Sequence, residues 1–207
     1  MVHVHRWVVA TLFVVSLLLL RQGIAQAASC TPANACDGSA IVGDDSCNGN
    51  LACIGNSGSP TIGNESCNGF QACSFNGGNI ARGACGGVTA CIVNSGKVGK
   101  KACQGEDACY VNAGRISKKA CVGLAACFSN TGDIAVKGCL GEAACQGNSG
   151  TIGKASCRGP SACENNSGNI SKNACQGERA CFNNTLDRKK GECNGPPVNG
   201  VGVCEQL

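Results

Sequence analysis

The chain has almost none of the residues on which most catalytic sites and most large cores depend. Its two histidines, its one tryptophan and its one methionine all lie within the first 27 residues. Beyond them no histidine is left for acid–base or triad chemistry, and the glycines are periodic and match no phosphate-binding motif. Only five aromatic residues remain, too few for an ordinary aromatic core. We therefore predict a protein that is not an enzyme, has no cofactor and is held together by something other than a large apolar interior.

The N-terminal segment has the pattern of a secretory signal peptide. His5 and Arg6 precede an almost wholly apolar run, residues 7–20, and Ala25-Gln26-Ala27 supplies a small-x-small cleavage motif. The run is shorter than the roughly 20 residues needed to cross a bilayer. We predict cleavage after Ala27 and a secreted chain without a membrane span, with a lipid anchor on Cys30 as the minor alternative. Removal of residues 1–27 takes away two arginines and lowers the net charge from +4 to +2.

What the remaining chain does have is cysteine and an internal repeat. All 20 cysteines lie beyond residue 27, a density above the roughly 8–10% that is typical of secreted disulfide scaffolds. From Cys47 to Cys175 a unit starts eight times. It is 20 residues long in the first copy and 18 in the others, with the form C-x-G-x-x-A-C-x-x-N-x-G-x-I-x-x-x-[AGS]. Positions are numbered from the first cysteine of each unit. Residues 28–46 form a partial N-terminal repeat or cap, 47–192 the eight repeats, and 193–207 a degenerate C-terminal cap.

A unit of this size predicts an all-β fold, a disulfide-stapled β-solenoid of 18-residue coils. It is too short for a helical hairpin, and glycine at positions 3 and 12 disfavours helix. Stacked coils would place equal positions about 4.8 Å apart. Asparagine occupies position 10 in every unit, and stacked amides can hydrogen-bond from coil to coil. We therefore predict an internal asparagine ladder that resembles those of pectate-lyase-type β-helices.

The cysteines favour disulfides within units. A spacing of six residues recurs nine times, whereas the longer gap between pairs varies, so the short pairs are expected to bond. Bonds between neighbouring coils remain an alternative, because a separation of 4.8 Å also suits a disulfide. A metal site is disfavoured by the spacing and by the lack of histidine. The predicted disulfide cysteines are Cys30, Cys36, Cys47, Cys53, Cys67, Cys73, Cys85, Cys91, Cys103, Cys109, Cys121, Cys127, Cys139, Cys145, Cys157, Cys163, Cys175, Cys181, Cys193 and Cys204.

The texture of residues 47–181 resembles secreted cysteine-rich tandem-repeat proteins of diatoms and similar microbes. The spacing of six between cysteines is also similar to that of the cysteine-rich antifreeze solenoids of beetles. The first resemblance implies a secreted repeat protein but no particular activity. The second raises ice binding, which would require a regular array of threonines. The threonines beyond residue 27 form no continuous column.

One column of charge is the candidate binding site. Position 16 is basic in six of seven consecutive units, at Arg82, Lys100, Lys118, Lys154, Lys172 and Lys190, with Val136 as the exception. Because Ile at position 14 should face inward and position 16 outward, the chain is expected to bend near positions 15–16. The column predicts binding of an extracellular polyanion, such as an acidic polysaccharide, a mineral surface or a cell-wall component. Solvated lysines that discourage aggregation explain it equally well.

Two further sets of residues complete the candidates. Ile92, Tyr110 and Phe128 occupy position 8 of consecutive units and are interpreted as packing between coils in preference to a sugar-binding patch. Asn64, Asn165, Asn169 and Asn183 lie in glycosylation sequons. Together the sequence predicts a stiff extracellular rod with a structural or adhesive role, and without nucleic-acid partners. The alternatives are an ice-binding protein or a secreted factor that acts on another organism.

Overall fold

The computed structural model describes Cys36, residues 40–58, residues 60–195 and Cys204. The predicted signal peptide, Cys30 and most of residues 196–207 lie outside the described residues. The described part has no helix, and its named strands are β1 (Ile41–Val42) and β2 (Thr61–Ile62), which pair in parallel. No helix there has the length and apolar character that crossing a membrane requires.

Successive repeats are joined by parallel bridges between residues at the same position. One line of bridges runs through position 14, through Ile62, Ile80, Val98, Ile116, Ile134, Ile152, Ile170 and Arg188. A second line runs through position 2, from Gln104 to Asn194 in steps of 18 residues. Backbone hydrogen bonds follow the same register elsewhere in the unit, such as Cys127 N–H to Ala108 O at 2.7 Å and Lys119 N–H to Lys100 O at 3.0 Å. Equal positions of neighbouring units therefore stack on one another.

The named strands are short, as the sequence predicts, at two residues each. Outside β1 and β2 the units touch through single-residue bridges, because non-glycine residues in the left-handed region interrupt each unit. In one unit these are Cys103, Asp107, Val111 and Lys119, at positions 1, 5, 9 and 17, with φ between 53° and 58°. Such residues cost about 1–2 kcal/mol each. The N–H groups of Asp107, Val111 and Lys119 donate to the preceding unit, and that of Cys103 donates to Ala120 at the end of its own unit.

The interior is built from small side chains. Cysteine at positions 1 and 7, alanine at 6 and isoleucine or valine at 14 are almost fully buried throughout the repeats. Eight disulfides join positions 1 and 7 of one unit, from Cys47–Cys53 to Cys175–Cys181, and each spans six residues. These are the pairs that the spacing predicts. Cys36 is also disulfide-bonded, and its expected partner Cys30 lies outside the described residues.

The asparagine ladder predicted from position 10 is present. From Asn94 to Asn184, each side-chain Nδ2 donates to Oδ1 of the asparagine in the preceding unit at 2.7–2.8 Å. The same Nδ2 also donates to the carbonyl at position 12 of its own unit, as Asn130 does to Gly132 at 2.7 Å. These asparagines are at most 5% exposed. The amides thus satisfy polar backbone that the narrow interior would otherwise leave unpaired.

Glycine at position 12 allows the backbones of neighbouring units to lie close together beside the ladder. A Cβ atom on Gly132 would lie 2.0 Å from the carbonyl oxygen of Gly150 and 2.7 Å from Nδ2 of Asn148. The following unit therefore imposes the glycine. Leu186 replaces it in the last repeat and is 55% exposed, and the described residues include no position 12 beyond it.

The C-terminal end continues the stack further than its sequence indicates. Cys193 stands at position 1 of a ninth unit and is bonded to Cys204, at a sequence separation of 11 in place of six. The amide of Cys204 donates to the carbonyl of Ala180 at 3.1 Å. Ala180 is at position 6, whose carbonyl elsewhere accepts from the cysteine at position 7 of the next unit. Cys204 therefore takes the place of that cysteine after an insertion of five residues.

Candidate functional site

The basic column forms a continuous exposed line on the stack. We define the basic ridge as the lysines at positions 16 and 17 of six consecutive units: Lys100, Lys101, Lys118, Lys119, Lys137, Lys154, Lys172 and Lys190. All of them are exposed. At the parallel-strand spacing of about 4.8 Å per unit, the ridge is about 24 Å long from the first unit to the last.

The backbone holds the ridge in register. The N–H of position 17 donates to the carbonyl of position 16 in the preceding unit, as in Lys119 to Lys100 at 3.0 Å and Lys137 to Lys118 at 3.2 Å. The chain turns at these positions, as the sequence predicts, and Lys101, Lys119 and Lys137 have φ between 55° and 58°. The turn directs a charged pair outward while Ile116 and its equivalents at position 14 stay buried. The stack thus fixes the backbone positions from which the lysines project, while their long side chains remain free to adapt.

Arg82, which the sequence places in the basic column, differs from the lysines of the ridge because its charge is paired. Its guanidinium forms a hydrogen-bonded ion pair with Glu65 at position 17 of the preceding unit. That hydrogen bond holds the pKa of the Glu65 carboxyl below its usual value. In the described residues this is the one ion pair. The column therefore changes sign along the stack, because Asp44, Asp45 and Glu65 occupy positions 16 and 17 before Arg82.

The position-8 side chains pack between units, as the packing interpretation predicts. Ile92 is 9% exposed, and the Tyr110 and Phe128 rings lie parallel with centroids 5.2 Å apart. At the same position Phe182 receives the Arg179 guanidinium, whose carbon lies 3.7 Å from the ring centroid. These rings stiffen one edge of the stack.

The stack has a column of serine and threonine hydroxyls that the sequence analysis, which examined threonine alone, did not find. Position 11 carries a hydroxyl in four consecutive units, at Thr131, Ser149, Ser167 and Thr185, and all four are exposed. The threonines at other positions, Thr61, Thr89 and Thr151, do not extend this column. The signal that could have found it is the joint class of serine and threonine at a fixed position.

The sequon asparagines all lie on the surface. Asn64 donates to the Asp44 carboxylate at 3.2 Å, and Asn165 donates to Asn183 Oδ1 of the next unit at 3.2 Å. Asn169 Oδ1 accepts from the Thr151 amide at 3.3 Å. Asn165 and Asn183 are in direct contact, so a glycan on either would crowd the other.

Clusters of cysteine sulfur arise where disulfides of neighbouring units approach. In one such cluster the sulfur atoms of Cys73, Cys85 and Cys91 lie within 4.8 Å of one another. Each belongs to a disulfide, whereas a metal binds the thiolate form. These clusters therefore reflect the stacking of the staples.

Two successive segments of the chain match one family model. Residues 18–106 and residues 101–199 both match the family described as "Domain of unknown function (DUF7640)". The two matches follow each other along the repeat array. Neither the curated proteins nor the solved structures contain a match to the chain.

Proposed function

The chain belongs to this DUF7640 family, and we propose that it is a secreted β-solenoid rod that acts by binding, with the basic ridge as the contact for a linear extracellular polyanion. The disulfides indicate an oxidising compartment. The stacked bridges, the internal staples and the ladder support a stiff rod. The observation that most supports this function is the basic ridge, in which six consecutive units each expose at least one lysine.

The spacing of the ridge suits a linear partner. The backbones of neighbouring units are about 4.8 Å apart, and ammonium groups held at that separation would repel by roughly 1 kcal/mol per pair even in water. A polymer with closely spaced carboxylate or sulfate groups removes this repulsion at several units together. The net charge of the whole chain is only +4, so the attraction depends on the arrangement of charges. Acidic polysaccharides, anionic cell walls and silica all present closely spaced negative charges.

Equilibrium binding to dextran sulfate, used as the probe, tests the proposal. The ridge variant changes Lys118, Lys154 and Lys172 to Gln. The matched control changes Lys97, Arg158 and Lys189 to Gln, which removes the same charge from scattered exposed positions. We expect the ridge variant to bind at least about tenfold more weakly than the control, with a smaller dependence on salt. Equal loss in the two variants would show that net charge alone causes binding and would contradict the proposal.

A second candidate function is ice binding, which is favoured by the hydroxyl column at Thr131, Ser149, Ser167 and Thr185. Only two of these residues carry the threonine methyl group, so the column is more hydrophilic than a threonine array. We expect no arrest of ice growth by the purified protein at micromolar concentration. Faceted ice crystals that disappear when Thr131 and Thr185 are changed to Lys would establish the second function instead.

A further inference from the structure

The exposed apolar residues are concentrated on one edge of four consecutive units. Phe70, Val88 and Leu124 stand at position 4, and Phe75, Val93 and Val111 at position 9. We define these six residues as the apolar strip. They are 41–59% exposed, although large apolar side chains are scarce in this chain. Polar and small residues occupy these positions in the other four units, so the strip ends on both sides. They are Asn50, Glu142, Pro160 and Glu178 at position 4 and Gly55, Gly147, Asn165 and Asn183 at position 9.

The two columns of the strip border one turn, and Glu106 interrupts the position-4 column in the third of the four units. The amide of Tyr110 donates to the carbonyl of Asp107 at 3.1 Å and closes the turn between positions 4 and 9. The stacked rings of Tyr110 and Phe128 fill the space at position 8. Along the stack, the Phe75 ring covers Gly55, since a Cβ on that glycine would lie 2.5 Å from the ring. Nothing in the described residues covers the outer side of the strip.

We propose that the apolar strip is the interface at which two copies of this chain pair side by side. The six residues together expose roughly 500 Å², which is comparable to the largest apolar patch on a typical soluble monomer, a patch that is often functional. A standard interface needs about 800 Å² from each partner, with an apolar centre and a polar rim. The strip supplies the centre, and neighbouring polar residues such as Thr89 and Gln104 supply the rim. The pairing is separate from the basic ridge and does not depend on it.

The repeat spacing favours a second copy over other occupants. Contacts in four successive units stay in step only with a partner that has the same rise of about 4.8 Å per unit. Another copy of this chain meets that condition automatically. It also presents the same apolar residues, as a self-complementary twofold interface requires.

Sedimentation equilibrium of the full, disulfide-intact protein tests the pairing. We expect a monomer–dimer equilibrium that is lost when Phe75, Val93 and Val111 are changed together to Ser, the residue found at position 9 in Ser129. The matched control changes Ile41 and Leu186 to Ser, two apolar residues that are 66% and 55% exposed outside the strip. The control should dimerise as the unchanged protein does. A monomer at every concentration, or equal loss in both variants, would overturn the proposal, whatever the protein binds through its ridge.

Discussion

The Nε of Arg188 donates a 2.7 Å hydrogen bond to Oδ1 of Asn184. Asn184 is the last asparagine of the ladder, so no asparagine amide of a following unit donates a hydrogen bond to its Oδ1. Arg188 replaces isoleucine at position 14 of the final repeat, and its Nη2 also donates to the Cys204 carbonyl at 3.3 Å. One side chain thus ends both the buried column at position 14 and the asparagine ladder.

Changing Arg188 to Ile should destabilise the protein although it restores the residue typical of position 14. The buried Asn184 oxygen would lose its donor, which costs about 1–3 kcal/mol. Guanidinium unfolding and amide hydrogen exchange near Asn184 would measure the loss. Arg158→Ile, at an exposed position on the same stack, is the control and should cost much less. Equal stability of the two variants would show that Arg188 does not cap the ladder.

In the middle of the ladder, Asn130→Ala should cost about 2–4 kcal/mol, because several buried partners lose a hydrogen bond together. Asn130 donates to Asn112 and Gly132 and accepts from Asn148. The control is Asn173→Ala, at position 17, where the chain already has alanine at Ala155 with φ 56°. Chemical denaturation of both variants measures the difference. If Asn130→Ala were as mild as its control, the ladder would not stabilise the stack.

Gly132→Ala should be among the most disruptive single changes in the chain. The added methyl group would meet the Gly150 carbonyl at 2.0 Å, which forces neighbouring units apart and costs several kcal/mol, on the order of 3 or more. Leu186→Gly, at the same position of the last repeat, should change the free energy of unfolding by less than about 1 kcal/mol. Thermal unfolding compares the two. A tolerated Gly132→Ala would mean that the units do not approach as closely as described.

The sequence predicted the elements that recur with one residue type. Cysteine six residues apart, asparagine at position 10 and buried isoleucine at position 14 each have the same physical role wherever they recur, so repetition reveals them. The left-handed positions were not predicted. Asp107, Ala125, Ser161 and Arg179 all occupy position 5 with φ between 50° and 53°. Hydrogen bonds between units impose this conformation, and no residue type signals it.

The ends and the surface were harder to predict than the repeat. Arg82 carries the charge typical of its column, but its partner Glu65 belongs to another unit and becomes a neighbour only through stacking. Cys204 takes the place of a position-7 cysteine after an insertion that hides the period. The basic ridge itself was visible as a column because lysine recurs there.

The distance between spin labels along position 16 tests most directly whether the units form one straight stack with a linear ridge. Labels carried on non-natural amino acids leave the disulfides untouched. One label replaces Lys100, and the other replaces Lys154, Lys172 or Lys190, which lie three, four and five units further on. We predict backbone separations of about 14, 19 and 24 Å, increasing by about 4.8 Å for each unit. Distances that fail to grow in equal steps would contradict the stack and, with it, the linear ridge on which the proposed function rests.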